Sequence, residues 1–128
     1  MADALRVVVI DDDRDLRELI KITLEFTAGW EVVTAANGRE GIEAVRERAP
    51  DVVVVDLMMP EMDGYAVCRS LKQDPATAAI PLVLLTARKE LDERQLGAAG
   101  ASGVVFKPFE PEELASQIRR LCESDEHA

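Results

Sequence analysis

The chain alternates short, continuously apolar runs with longer stretches in which apolar residues recur every three or four positions. Leu5–Ile10, Val52–Val55 (led in by Asp51) and Ile80–Leu85 are nearly uninterrupted, as strands covered on both faces are. Glu31–Ala35 and Gly103–Phe106 are weaker and shorter, as edge strands often are. Between these runs, Leu16, Leu19, Ile20, Thr23 and Leu24 fall on one helical face, with Arg14, Arg17, Glu18 and Lys21 outside it. Asn37 followed by Glu40 resembles a capping box ahead of a second helix that buries Ile42 and Val45 and ends at Pro50. A third helix is expected from near Asp63, burying Val67 and Leu71 until Asp74-Pro75 breaks it. The fourth, around Asp92–Ala99, is thinly apolar and flanked by glycine, so it should be the least firmly packed. Pro111 opens a fifth, with Leu114, Ile118 and Leu121 on its inner face.

The order is strand then helix, five times over. Parallel neighbours need right-handed crossover connections, so the pattern predicts an α/β fold: a five-stranded parallel sheet flanked by five helices. Ligands of such sheets bind beyond the carboxyl ends of the strands, where strand order reverses. One domain is expected over residues 1–123, with 124–128 an acidic, disordered tail.

Composition narrows the functional classes. Hydrophobic residues are 48% of the 128 and aromatic residues 4%, so the core must be aliphatic. The balance of 15 Lys+Arg against 25 Asp+Glu leaves a net charge of −10, which disfavours direct nucleic-acid or anionic-membrane binding because phosphate recognition needs a basic footprint. Cys68, Cys122 and His127 are too few and too far apart for a disulfide framework or a zinc site, and reduced thiols in a cytosolic protein are expected. Met1–Arg6 lacks the pattern of a signal peptide. No apolar run approaches the ~20 residues of a membrane span, so the expected location is cytoplasmic.

The strand ends carry the chemistry. The first strand runs into Asp11-Asp12-Asp13, the third ends in Asp56, the fourth in Thr86-Ala87 and the fifth in Phe106-Lys107-Pro108-Phe109. Carboxylates meeting without a counter-charge repel one another and take up protons. A hard divalent cation relieves that, and Mg²⁺ suits one or two carboxylates completed by water and phosphate oxygens. Lys107 offers a compact positive charge and Thr86 a hydroxyl donor. Together with a carboxylate nucleophile these make a phosphoryl-transfer site, in which the protein positions groups and neutralises charge.

Each piece has a plainer reading alone. Asp13 serves as a helix N-cap, Asp11 or Asp12 alone as a turn residue, and Asp63-Gly64 as a turn-and-cap pair. Met58, Met59 and Met62 read as loop packing, because thioethers suit copper and not a carboxylate site. Lys107-Pro108 is a rigid strand exit, and a cis peptide there would aim Lys107. Joint placement at four of the five strand ends is what favours a site.

Val9-Ile10-Asp11-Asp12-Asp13, Asp56-Leu57-Met58-Met59-Pro60-Glu61-Met62-Asp63-Gly64, Leu84-Leu85-Thr86-Ala87 and Phe106-Lys107-Pro108-Phe109 occur in that order. At this spacing the sequence resembles the receiver domain of two-component response regulators, from Leu5 to about Glu123. The resemblance implies the fold of the chemotaxis regulator, with strand order 2-1-3-4-5. It implies that Asp56 accepts a phosphoryl group from the phosphohistidine of a sensor histidine kinase or a histidine phosphotransfer protein. Asp12 would bind Mg²⁺ directly and Asp11 through water, with Asp56 and the backbone carbonyl of Met58 as further contacts. Lys107 would contact the phosphoryl group, Thr86 would move towards it, and Phe106 would turn inward as the aromatic switch. The fourth helix, fifth strand and fifth helix, roughly Lys89 to Arg120, would be the face for a downstream protein partner or fused output domain. The first helix would set kinase recognition. On this reading the chain catalyses only its own phosphorylation and dephosphorylation.

Some positions depart from the family pattern. Phe106 lacks the tyrosine hydroxyl of some relatives. Met58 and Arg88 occupy variable positions flanking the path of the hydrolytic water, which leaves the lifetime of the phosphorylated form open. Glu110 is a poor N-cap ahead of Pro111.

Other readings fit less well. A haloacid-dehalogenase-like phosphatase needs Asp-x-Asp-x-Thr/Val, and Asp11–Asp15 fails at the last position while Asp56-Leu57-Met58 lacks the second acid. A flavodoxin-like FMN carrier would have to bind phosphate beside three aspartates. A degenerate receiver that only binds partners is disfavoured because the acidic cluster, Thr86 and Lys107 are all present. The chain contains no effector segment, and a stand-alone receiver and a piece of a longer regulator both remain open.

Overall fold

Strands that are apolar at every position need cover on both sides, and the intervening helices provide it. In a computed structural model, which describes the backbone of residues 4–126 and the side chains of 4–123, the chain forms β1 (Arg6–Ile10), α1 (Arg14–Ala28), β2 (Glu31–Ala35), α2 (Gly38–Arg48), β3 (Val52–Asp56), α3 (Gly64–Gln73), β4 (Leu82–Thr86), α4 (Glu93–Ala99), β5 (Gly103–Phe106) and α5 (Pro111–Glu126). The strands are all parallel, in the order β2-β1-β3-β4-β5. The order reverses beside β1, so the crevice rule points to the carboxyl ends of β1 and β3.

Successive strand residues face opposite ways, which divides the core in two. Val8, Ile10, Val53, Val55, Leu82 and Leu84 pack under α2, α3 and α4. Val7, Val9, Val52, Val54, Val83 and Leu85 pack under α1 and α5, against Ile20, Leu24, Leu114 and Ile118. Cys68 belongs to the first layer and Cys122 to the second, so the sheet lies between them. At Gly41 an added Cβ would strike the side chain of Ile10, so the glycine lets α2 lie close on β1.

Local chemistry fixes the helix ends. Asp13, Asn37, Asp63 and Asp92 are N-caps whose side chains accept backbone N–H groups. Glu40 reaches back to the Ala36 N–H at 3.4 Å, one residue earlier than a standard capping box. Gly29 and Gly100 end α1 and α4 at φ +70° and +74°. α2 stops at Arg48, with Ala49 in the left-handed region ahead of Pro50. α4 is seven residues long and buries only Ala99, in line with its thin apolar pattern.

Several boundaries differ from the sequence expectation. β4 begins at Leu82 and β1 at Arg6, not at Ile80 and Leu5. Pro81 has no N–H for a ladder, and the Lys72 ammonium takes the carbonyls of Ala78 and Ile80. A 3₁₀ turn, Arg88–Glu90, intervenes before α4. α5 continues as helix to Glu126, through part of the expected tail, and His127 and Ala128 lie outside the described residues.

The largest correction concerns α1. Ile20, Thr23 and Leu24 are buried, but Leu19 is 46% exposed, with Ile22 and Phe26 at 59% and 88%. At about 100° per residue Leu19 falls on the flank of the buried stripe, beside Ile22 and Phe26. Arg17, expected on the outside, is half-buried and donates to the Asp11 carbonyl at 2.8 Å. These positions predict unequal costs in urea unfolding. Leu24→Ala should lose about 3 kcal/mol of stability, and Leu19→Ala no more than about 0.5 kcal/mol.

Candidate functional site

β1 and β3 are neighbours, with Ile10 opposite Val55. The residues that follow, Asp11 and Asp56, therefore emerge side by side at the carboxyl edge. Asp12 joins them, and one carboxylate oxygen from each of the three lies within 4.8 Å of the others. On the other side of β3, Asp56 is opposite Leu85 of β4, and Thr86 is opposite Phe106 of β5. Lys107 follows directly and places its Nζ 2.7 Å from Asp56 Oδ1. Every polar site residue expected from the sequence is thus on one rim, and the Lys107-Pro108 peptide is cis.

Burial makes this cluster electrostatically tense. Asp11, Asp56 and Thr86 are almost fully buried, whereas Asp12 is exposed. Burial pushes the Asp11 carboxyl up to about 6; the Asp13 N–H opposes the shift and neighbouring Asp56 adds to it. Asp11 Oδ1 takes that N–H at 2.9 Å, but Oδ2 is buried with no partner. Burial also raises the Asp56 carboxyl, with the Lys107 hydrogen bond pulling the other way. Partial burial lowers the Lys107 ammonium, yet its contact with Asp56 outweighs this and the net shift is upward. One ammonium thus faces three carboxylates.

The remaining expected residues divide. Asp13 caps α1, accepting from Asp15 and Leu16 at 3.0 and 3.2 Å. Met59 and Met62 pack into the core layer under α2 and α3, but Met58 is 57% exposed, which corrects its assignment to packing. Gly64 is needed behind the site: an added Cβ would lie 2.8 Å from the Asp56 carbonyl oxygen and 2.9 Å from Leu57 Cα. Phe106 is half-buried, under the Arg88 guanidinium at 4.0 Å from its ring centroid.

Three contacts had not been read from the sequence. The Thr86 hydroxyl offers its single proton to two acceptors, Glu90 Oε1 at 3.4 Å and the Ala87 carbonyl at 3.3 Å. Arg88 stacks on Phe106. The Tyr65 hydroxyl, on α3, accepts from the Asp92 N–H at 2.8 Å and donates to its carbonyl at 3.3 Å, tying down the start of α4. The spacing of Thr86 and Glu90 is a signal only if a turn follows β4, and three residues are too few to show a period.

Comparison with known proteins agrees with this geometry. A family model described as the response regulator receiver domain matches residues 7–119. The chain is 42% identical over 118 residues to the response regulator MprA of Mycolicibacterium vanbaalenii, covering 91% of this chain and 50% of that protein. It is 38% identical over 117 residues to the DNA-binding dual master transcriptional regulator RpaA of Synechocystis sp., covering 91% and 48%. The chain therefore spans about half the length of the curated relatives it matches. Among solved structures, the chemotaxis response regulator CheY4 of Vibrio cholerae aligns with a TM-score of 0.85 at 31% identity, over 93% of this chain and 99% of that one. Sheet order, the four rim motifs and the family match coincide over the same residues, and the chain belongs to the response regulator receiver domain family.

Proposed function

We propose that the chain is the phosphoacceptor of a two-component phosphorelay, with Asp56 as the residue modified. The observation that carries this is the placement of Asp56: a buried carboxylate at the end of β3, bonded to Lys107 and flanked by two further carboxylates. An Asp56 oxygen attacks the phosphorus of a phosphohistidine on a sensor histidine kinase or histidine phosphotransfer protein. The P–N bond breaks, the imidazole leaves with the electron pair and takes a proton, and an aspartyl phosphate forms. Lys107 then turns from the carboxylate to a phosphoryl oxygen, keeping one cation beside the growing negative charge.

Mg²⁺ fits the donor set. Asp11 Oδ2 is a buried acceptor without a partner, and three carboxylates share one ammonium. Asp11, Asp12, Asp56 and the Met58 carbonyl would hold the ion, which supplies neutralisation of the phosphoryl charge. The phosphatase and FMN-carrier readings fall away with the family assignment.

The first helix suits a protein phosphodonor. Leu19, Ile22 and Phe26 form an exposed apolar stripe on α1, whose amino end adjoins the site through Asp13, and a helical partner lying on it would reach the rim. α4, β5 and α5 would carry the signal to a downstream partner or a fused output domain; two relatives are named DNA-binding regulators, and this chain spans about half their length. The domain's own charge of −10 leaves nucleic-acid contact to that partner. Among the described residues no helix is long and apolar enough to cross a membrane, and we place the protein in the cytoplasm.

With a small P–N phosphodonor and Mg²⁺, Asp56→Asn should lower phosphate uptake, read by intact mass, by at least ~100-fold; uptake at the wild-type rate would refute the assignment. Ile22→Asp with Phe26→Ser should slow transfer from the cognate kinase, relative to the small donor, by about tenfold.

Asp11 gives a pH prediction. With its carboxyl raised from 3.8 to about 6, the folded metal-free protein holds this proton more tightly than the unfolded chain. Its contribution is therefore fully present below about pH 4 and lost as pH rises through about 6, on the order of 3 kcal/mol. Urea unfolding without metal should show that slope and Asp11→Asn should flatten it. Saturating Mg²⁺ should restore stability at pH 7.

A further inference from the structure

Thr86 and Phe106 are register partners on β4 and β5, and both are held by the short turn that follows β4. Thr86 is 1% exposed and its hydroxyl has one proton to donate. That proton faces Glu90 Oε1 at 3.4 Å and the Ala87 carbonyl at 3.3 Å, both long contacts. The Arg88 guanidinium covers the Phe106 ring at 4.0 Å, within the range of cation–π attraction. The turn is pinned by the Glu90 N–H on the Ala87 carbonyl at 3.0 Å. Two exposed residues of one turn thus contact two residues on adjacent strands at the rim.

We propose that Arg88 and Glu90 form a clasp that holds Thr86 and Phe106 in the resting arrangement, with Glu90 a positioning residue that sets how readily Asp56 takes up a phosphoryl group. The inference rests on the phosphoacceptor reading of Asp56. A phosphoryl oxygen on Asp56 and the Glu90 carboxylate compete for the same Thr86 proton. Glu90 is also close enough for its charge to act on both Asp56 and Lys107, so it opposes an incoming anion. While Arg88 lies on the Phe106 ring, the ring cannot move without giving up that contact.

The test uses the whole chain with a small P–N phosphodonor and Mg²⁺, following uptake by intact mass. Glu90→Gln, which removes the charge and weakens the acceptor, should speed uptake about fivefold. A Thr86→Ser background, which keeps the hydroxyl, should preserve that gain, and a Thr86→Ala background should leave only the smaller part that the lost charge supplies. No gain in the single variant, or an equal gain on Thr86→Ala, overturns the clasp, because Glu90 would then act by charge alone or not at all.

A second readout needs no phosphoryl chemistry. In protein labelled with 4-fluorophenylalanine, with the Phe106 resonance assigned by its loss in Phe106→Leu, Glu90→Gln should shift that resonance without touching the ring. An unmoved resonance overturns the coupling. If Asp56→Asn took up phosphate normally, the acceptor reading would fail, while the fluorine measurement would still decide the clasp.

Discussion

Carboxylates buried next to one another are the constraint around which this molecule is arranged. Asp11 and Asp56 lose their water at the end of a sheet covered on both faces, and burial disfavours each ionised form, with Asp56 adding to the effect at Asp11 and Asp12 adding to it at Asp56. A natural sequence could relieve this with apolar residues at those positions and gain stability. It keeps the carboxylates instead and compensates them incompletely. Asp11 receives the Asp13 N–H, Asp56 receives Lys107, and one oxygen of Asp11 receives nothing. Tension of this kind at a site is the usual counterpart of function, because what relieves it is a ligand.

The parallel sheet makes such an arrangement precise. Asp56 and Thr86 are the last residues of strands locked by ladders on either side, and their Cα positions follow from register more than from loop conformation. Lys107 must reach across β4 to Asp56, and its long side chain does so from the end of β5. The loop after β3 contributes closeness: Gly64 allows the start of α3 to approach the backbone of Asp56 and Leu57. Rigid strands thus set the polar groups of the rim, and the surrounding loops supply caps and contacts.

This division also governs what the sequence reveals. Continuous apolar runs mark β1, β3 and β4 because double burial leaves no polar position to blur them. Asp13, Asn37 and Asp63 announce their helices because capping is a local bond. The rim residues are legible because strand ends and motif spacing coincide. Leu19 was misplaced because a wide apolar stripe does not say which flank meets solvent. Pro81 shortened β4 through a missing donor that hydrophobicity does not register. The roles of Arg88, Glu90 and Tyr65 depend on a three-residue turn and on contacts between elements, and no periodic pattern encodes either.

On the proposed reading, the turn after β4 gives the switch its direction. Thr86 and Phe106 end β4 and β5 on the rim that carries the acidic cluster, and both touch exposed residues that precede α4. A conformational equilibrium placed there is read from both ends. On the proposed reading, a phosphoryl group that draws Thr86 inward would release Glu90, and a binding partner that prefers the released turn would favour phosphorylation by the same factor, since the coupling free energy is shared. A stronger clasp makes the resting state more secure and phosphorylation slower. A weaker one leaks signal without a phosphoryl group. The Thr86–Glu90 contact is long and both clasp residues are exposed, which on the proposed reading would make release easy and suit a domain that signals at its surface.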